Sequence, residues 1–399
     1  MQLHVGLRDS PAPTTHSAAQ AIALTCLKYA FSPYELTVGT KLMHRFKTFE
    51  SAGSAVAAAL MGAWRKSPPK LELPAQDLAA ITPLLLRSGA GALGWWRCRH
   101  SHVQMQTDAV QQLRDAYLHY AIHAAEHERQ VSEVFEVLRS RGVEPILLKG
   151  WAIGRLYPEA GLRPTGDIDL CVSPAQRATA RAVLDSPENR RYWIDLEHDE
   201  ITRFGDQSFD ELYSRSDLVR LNATEVRVLS AEDHLRILCL HLLKHGAWRP
   251  LWLCDVAAAL ESRPSRFDWE RFLGRDTRRA QWIFCTAALA QQLLGAQLDD
   301  SPLQGSESRL PGWLLSSVLK QWSAPCPPHL PLFVGNIGKY LREPAEIVTD
   351  IRRRWPNPIQ ATIDANGRFD DTPRLPFQLG NCAVRTAKVC RQLQQLLHR

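Results

Sequence analysis

The chain has 399 residues, of which 45% are apolar and 23% charged, and its formal charge is +6. Such a length exceeds the roughly 250 to 300 residues that one hydrophobic core serves, so two or three packed lobes are expected, and the apolar share excludes a disordered chain. No apolar run reaches the roughly 18 to 20 residues of a membrane span, and the opening Met1–Arg8 lacks a basic segment followed by an apolar one, so the chain reads as soluble and cytoplasmic.

Residues 1–15 carry Pro11 and Pro13 and read as a loose arm. From Ser17 to Ala63 the spacing of Ala19, Ile22, Leu24 and Leu27, and again of Ala55, Ala58 and Leu60, predicts helices. Pro68 and Pro69 interrupt them, a further helix is predicted over Leu78–Arg87, and the glycines at 89, 91 and 94 predict another break. Cys98, His100 and His102 crowd three metal-capable donors together, but no second cluster completes a four-donor site. A first, helical lobe is assigned to residues 1–106. Beyond it, Val110, Leu113, Tyr117, Ala121, Ala124, Val131, Val134 and Leu138 form one stripe of a long helix over 107–141, closed by Gly142.

The next stretch carries the chemistry. Ile146–Leu148 reads as a short strand followed by Lys149, Gly150 and Trp151, and Arg163-Pro164-Thr165-Gly166 leads into Asp167-Ile168-Asp169-Leu170. Alternation along a strand puts both carboxylates on one face and Ile168 and Leu170 on the other. Two carboxylates held together repel each other, and a divalent cation that neutralises both is a common reason to fix them so. Magnesium, with manganese as its substitute, suits oxygen ligands shared between one or two carboxylates and substrate phosphates, which points to phosphoryl or nucleotidyl transfer. Gly150 would let the backbone approach a triphosphate, with Lys149 and Arg163 supplying positive charge and Thr165 and Gly166 shaping the turn. Each of these residues also has an ordinary reading as a cap, an edge residue or an exposed turn. The spacing of a Walker P-loop is absent. A helix is predicted over Pro174–Leu184 and a strand over Asn189–Leu196, where Asp195 or Glu197 could supply a third carboxylate.

A core assigned to residues 107–229 thus gives way to a helical half, 230–345. Ser230 caps a helix with Glu232 and Asp233 in its first turn, followed by helices over Leu251–Leu260 and Arg278–Leu294. His234, His241, Lys244 and His245 fall near one face of the first; it is either a polar face turned toward a cleft or ordinary packing, since the His pair lacks the Glu of a zinc protease. Pro325–Pro331 is proline-rich, and residues 346–399 form a basic extension with Arg352, Arg353 and Arg354, which could steer an RNA or an acidic protein. Nine scattered cysteines without a Cys-x-x-Cys pair read as reduced thiols.

Leu148-Lys149-Gly150, Leu156-Tyr157, Arg163 and Gly166-Asp167-Ile168-Asp169-Leu170, in this order, resemble the uncharacterised nucleotidyltransferase family of the DNA polymerase beta superfamily, and also nucleotidyltransferase toxins of abortive-infection systems. The resemblance implies an α+β fold, a small mixed β-sheet flanked by N-terminal and C-terminal helical lobes. It implies Asp167, Asp169 and Asp195 as catalytic and magnesium-binding carboxylates, although Glu197-His198 departs from the family pattern beside Asp195. Lys149, Gly150, Trp151, Arg163, Thr165, Gly166, Lys244 and Asp255 are implied as nucleotide-binding residues, Asp255 because it resembles the Asp closing a helical motif of the family. The activity implied is transfer of a nucleoside monophosphate from a nucleoside triphosphate, ATP among them, to a hydroxyl or amine on a small molecule, a protein or an RNA. A toxin-like enzyme acting on tRNA and a degenerate nucleotide-binding or partner-binding protein are the alternatives.

Overall fold

The computed structural model describes residues 45–101, 106–196, 207–299, 301–305, 310–323 and 355–397, with side chains to residue 387. The arm at 1–15, the helix over Ala19–Leu27, His102, Glu197, the proline-rich segment and Arg352–Arg354 lie outside the described residues. Three helices open the described chain: α1 (Phe49–Leu60), α2 (Ala75–Arg87) and α3 (Gly91–Arg99). The predicted break at 89–94 is shorter than its glycines suggest. Gly89 alone takes a left-handed turn (φ +75°), and Gly91 already begins α3, with Gly94 inside it where a Cβ would press on Leu85 and Leu113.

The long helix α4 runs from Asp108 to Arg139, with the Thr107 hydroxyl accepting from the Val110 amide. Gly142 (φ +72°) turns the chain back, and the Val143 amide donates to the Leu138 carbonyl at 3.0 Å. Its first turns bury Val110 and Leu113 among the helices, while Val131, Val134, Phe135 and Leu138 pack on the sheet, so one helix serves two cores.

The sheet has five strands in the order β3-β2-β1-β5-β4. Strand β1 (Ile146–Leu147) pairs antiparallel with β2 (Ile168–Cys171) and parallel with β5 (Thr224–Val228). Strand β3 (Ile194–Leu196) runs parallel to β2 at one edge, and β4 (Asp217–Leu221) runs antiparallel to β5 at the other. Ile168 and Leu170 enter the core beneath α4, each burial contributing about 1.5 to 3 kcal/mol, which fixes the register and leaves the flanking aspartates on the other face. The strand expected over 189–196 is confined to its last three residues, because the Tyr192 amide donates to the Asn189 carbonyl and holds 189–192 in a turn. Helix α5 (Trp151–Gly154) lies between β1 and β2, and a 3₁₀ turn at Pro174–Gln176 and α6 (Arg177–Leu184) connect the parallel strands β2 and β3. Helix α7 (Phe209–Arg215) precedes the β4–β5 hairpin, which was not anticipated.

After Ser230, which caps as expected, come α8 (Ala231–Lys244), α9 (Pro250–Glu261), α10 (Trp269–Leu273), α11 (Thr277–Leu294), α12 (Gly312–Ser323), α13 (Pro358–Asp364) and α14 (Leu375–Leu397). The buried side chains of α1–α3 join those of α8–α13 in one hydrophobic cluster. Within it α1 crosses α12 so closely that a Cβ on Gly53 would stand 2.1 Å from the Leu319 carbonyl oxygen. The mixed α+β architecture agrees with the sequence, the sheet being flanked by helices on both sides of it in the chain. No helix among the described residues is long and apolar enough to cross a membrane. Cys98, Cys171, Cys239, Cys254, Cys285 and Cys382 are free thiols, all but Cys382 buried.

Candidate active site

Two neighbouring parallel strands bring the carboxylates together. Asp169 is in direct register with Asp195 across the β2–β3 pair, and Asp167 immediately precedes β2. Carboxylate oxygens of Asp167, Asp169 and Asp195 lie within 4.8 Å of one another, Asp169 buried and Asp195 exposed. Like charges at such spacing repel, and a cation beside them relieves the repulsion: Lys149 Nζ, just past β1, stands 3.0 Å from Asp169 Oδ1. The three acceptor-only side chains and their openness to the cleft fit a divalent cation. Among the described residues no other group of three or more metal-capable side chains gathers in this way.

The triad lies in a cleft of about 520 Å³. Its near wall is the strand ends and their turns: Lys149, Gly150, Arg163, Pro164, Thr165 and Gly166. Gly150 holds φ +60° and ψ −115°, a conformation that L side chains rarely adopt, and so turns the chain directly from Lys149 into α5. Arg163 is fixed by its planar fork: Nη2 donates to Asp255 Oδ2 at 3.0 Å and Nη1 to the Pro164 carbonyl at 3.0 Å. The Tyr157 hydroxyl donates to Asp255 Oδ1 at 2.8 Å, so the fully buried Asp255 carboxylate has both oxygens occupied. Burial opposes the Arg163 charge, but the neighbouring Asp255 outweighs it and raises the guanidinium's pKa. Asp255 therefore serves the cleft through Arg163, whose orientation it sets.

The far wall comes from α8 and α9: Leu238, His241, Lys244, His245, Arg249 and Trp252. The His241 and His245 rings stand 4.6 and 5.2 Å from the Trp252 ring, and Arg249 lies over the same indole at 5.5 Å. The histidine pair thus packs on Trp252 as part of a cationic, aromatic wall. Burial lowers the Arg249 pKa to about 10, which leaves it charged at neutral pH, and its Nε donates to the Ser88 carbonyl. His234, earlier on α8, is away from the cleft and 4% exposed. Its pKa is pushed down to about 3, first by burial and then by the charges of Arg155 and Arg163.

Of the residues that the resemblance implied as catalytic or nucleotide-binding, all but Trp151 line the cleft; its indole turns away and donates to Glu128 Oε1 at 3.1 Å. Sequence reasoning missed Arg249 and Trp252 as wall residues and Tyr157 as a support. The first two were marked only by their i, i+3 spacing at the start of α9, and Tyr157 gave no signal beyond its place in a motif. Glu197, the competing third carboxylate, lies outside the described residues, while Asp195 stands at the pair.

A small mixed sheet carrying three clustered carboxylates opposite a cationic helical wall is the arrangement of a nucleotidyltransferase. The family model of the uncharacterised nucleotidyltransferases matches residues 97–295, and this part of the chain belongs to that family. No curated protein and no solved structure matches the chain.

Proposed function

We propose that the protein is a magnesium-dependent enzyme that transfers a nucleoside monophosphate from a nucleoside triphosphate to a hydroxyl or amine acceptor, releasing pyrophosphate. The observation that carries this reading is the convergence of Asp167, Asp169 and Asp195 in a cleft whose other walls bear Lys149, Arg163, Lys244 and Arg249. The three aspartates would hold magnesium, or manganese, which when bound screens phosphate charge and lowers the pKa of an acceptor hydroxyl. Lys149, Arg163, Lys244 and Arg249 neutralise the triphosphate oxygens, and Arg163, held by Asp255, offers its fork in one orientation. The acceptor oxygen forms a bond to the α-phosphorus as the bond between that phosphorus and the bridging oxygen to the β-phosphate breaks. The acceptor proton passes to Asp195, the exposed member of the triad, and pyrophosphate leaves along the cationic wall. The nearness of Asp195 to the other two favours this reading over a degenerate binding protein.

The test is incubation of the purified protein with magnesium and each of four α-phosphate-labelled nucleoside triphosphates, with and without bulk tRNA and cell lysate. Label is expected on an acceptor and lost by at least 10²-fold in Asp167→Asn and Asp169→Asn, in line with removal of a dominant electrostatic contribution. Label confined to tRNA would select the toxin-like alternative. The absence of both label and magnesium-dependent nucleotide binding would overturn the enzyme reading.

A further inference from the structure

One large apolar side chain stands beside the aspartates without belonging to a core. Trp193 is 60% exposed and joins none of the hydrophobic clusters. Among the described residues its indole makes no ring contact and no hydrogen bond. Its place follows from the strand. Tyr192, Ile194 and Leu196 pack into the core beneath α4, so alternation sends Trp193 and Asp195 to the opposite face, the one that carries Asp167 and Asp169. The register agrees: one residue back from the Ile168–Ile194 pair, Trp193 falls next to Asp167, and the Ile168 amide donates to the Trp193 carbonyl at 2.8 Å. Asp195 lies two residues further on, roughly 6 to 7 Å along the strand. Because β3 is the edge of the sheet, the indole borders the triad on the side away from Lys149, which follows β1.

Transfer needs the acceptor hydroxyl at Asp195 while the triphosphate fills the cationic cleft. The rest of the acceptor then lies along the open edge, and the surface offered there is a flat aromatic ring. A nucleobase stacks on such a ring whatever its identity. A neutral sugar on the same indole would need partners for its hydroxyls, and the carboxylates on this face, Asp167 and Asp195, belong to the triad. Arg190 and Arg191, both exposed, lead into the strand and suit the phosphate of a nucleotide. We infer that Trp193 is the platform on which the acceptor stacks, and that the acceptor is a terminal nucleoside with a free ribose hydroxyl, its base on the indole and its hydroxyl facing Asp195. This rests on the transfer reaction proposed above and names the acceptor class that the reaction takes.

Calorimetry on the full-length protein separates the two readings. In a first titration a non-hydrolysable nucleoside triphosphate analogue is added with and without magnesium; failure to bind overturns the reading of the cleft, and this inference with it. In a second, the analogue-saturated protein receives adenosine 5′-monophosphate, a trinucleotide RNA with a free 3′ hydroxyl, or ribose 5-phosphate, which keeps the hydroxyls and the phosphate but lacks the base. The expected result is binding of the mononucleotide or the RNA at least 10-fold tighter than ribose 5-phosphate, about what one base–aromatic stack supplies. Binding of the mononucleotide assigns the acceptor to free nucleotides, and binding of the RNA alone assigns it to strand ends. Trp193→Ala is expected to abolish that margin and Trp193→Phe to restore most of it, with the analogue's affinity and the melting temperature unchanged, because the indole touches no core. No binding by any of the three, equal binding of ribose 5-phosphate, or a margin that survives Trp193→Ala would overturn the inference. So would a loss of the analogue's affinity in Trp193→Ala, which would make the indole the seat of the incoming nucleotide's own base.

Discussion

Arg163, Asp255 and Tyr157 form a buried unit in which charge and hydrogen bonds are matched. Removing one member leaves another uncompensated, so Asp255→Asn is expected to destabilise the protein by roughly 3 to 5 kcal/mol and Tyr157→Phe by only about 1 kcal/mol. Chemical denaturation of both single variants and the double variant measures this; equal losses for the two singles would show that the charge pair is not what holds the unit. His234 gives a pH signature. Its folded pKa of about 3 lies below the usual 6.5, so the unfolded chain takes up a proton that the folded one refuses. Burial first, then the charges of Arg155 and Arg163, keep it neutral, against a backbone hydrogen bond to Leu148 that favours the proton. Stability from this residue is complete above about pH 6.5 and lost as pH falls toward 3, by at most roughly 1.4 kcal/mol per pH unit. Melting curves of the protein and of His234→Leu between pH 7 and 5 check it: the variant should lose part of the slope.

Among the elements, those with strong periodicity or caps were legible in the sequence. Thr107, Gly142 and Ser230 mark the ends of α4 and the start of α8 through local hydrogen bonds that need no tertiary partner. The β4–β5 hairpin escaped because Asn222-Ala223 is a weak turn signal, although Asn222 does take the left-handed conformation (φ +55°) and Thr224, Val226 and Val228 alternate inward. Gly94 misled in the opposite direction, since its role is close packing inside a helix and not a break. Gly53 shows the same logic at its strictest. Gly53→Ala would set a methyl against the Leu319 backbone, and the helices must separate, so a loss of at least about 3 kcal/mol is expected from overpacking that rigid backbone cannot relieve. A thermal melt unchanged within a degree would show that the α1–α12 crossing is looser than drawn.

At the scale of the whole molecule, the aspartate pair could be read from the sequence because its residues are adjacent, as could the Lys149 and Arg163 turns beside it. The far wall could not be placed, because it depends on how α8 and α9 lie against the sheet, which is decided by apolar contacts distant in sequence. Within the described residues, helices that the sequence reading assigned to separate lobes, α1–α3 and α8–α12, contribute to one cluster, because α1–α3 alone have too few partners to bury their apolar faces.

That cluster has a consequence for the order of assembly. The sheet and its carboxylates are complete at Val228, but the wall facing them hangs on a helical body whose first layer is made before residue 100 and whose last is made by α12 and α13. Pairing α1 with α12 closes a loop of more than 250 residues, a step of high contact order that comes late. On the ribosome the strands that carry the three aspartates therefore emerge before the wall that faces them. Chains halted after Gly295, at the end of the family match, are expected to digest rapidly under brief protease exposure and to bind no nucleotide, whereas the full chain resists. The last quarter of the sequence then acts as the latch on a site whose lining residues, among those described, all come from before it.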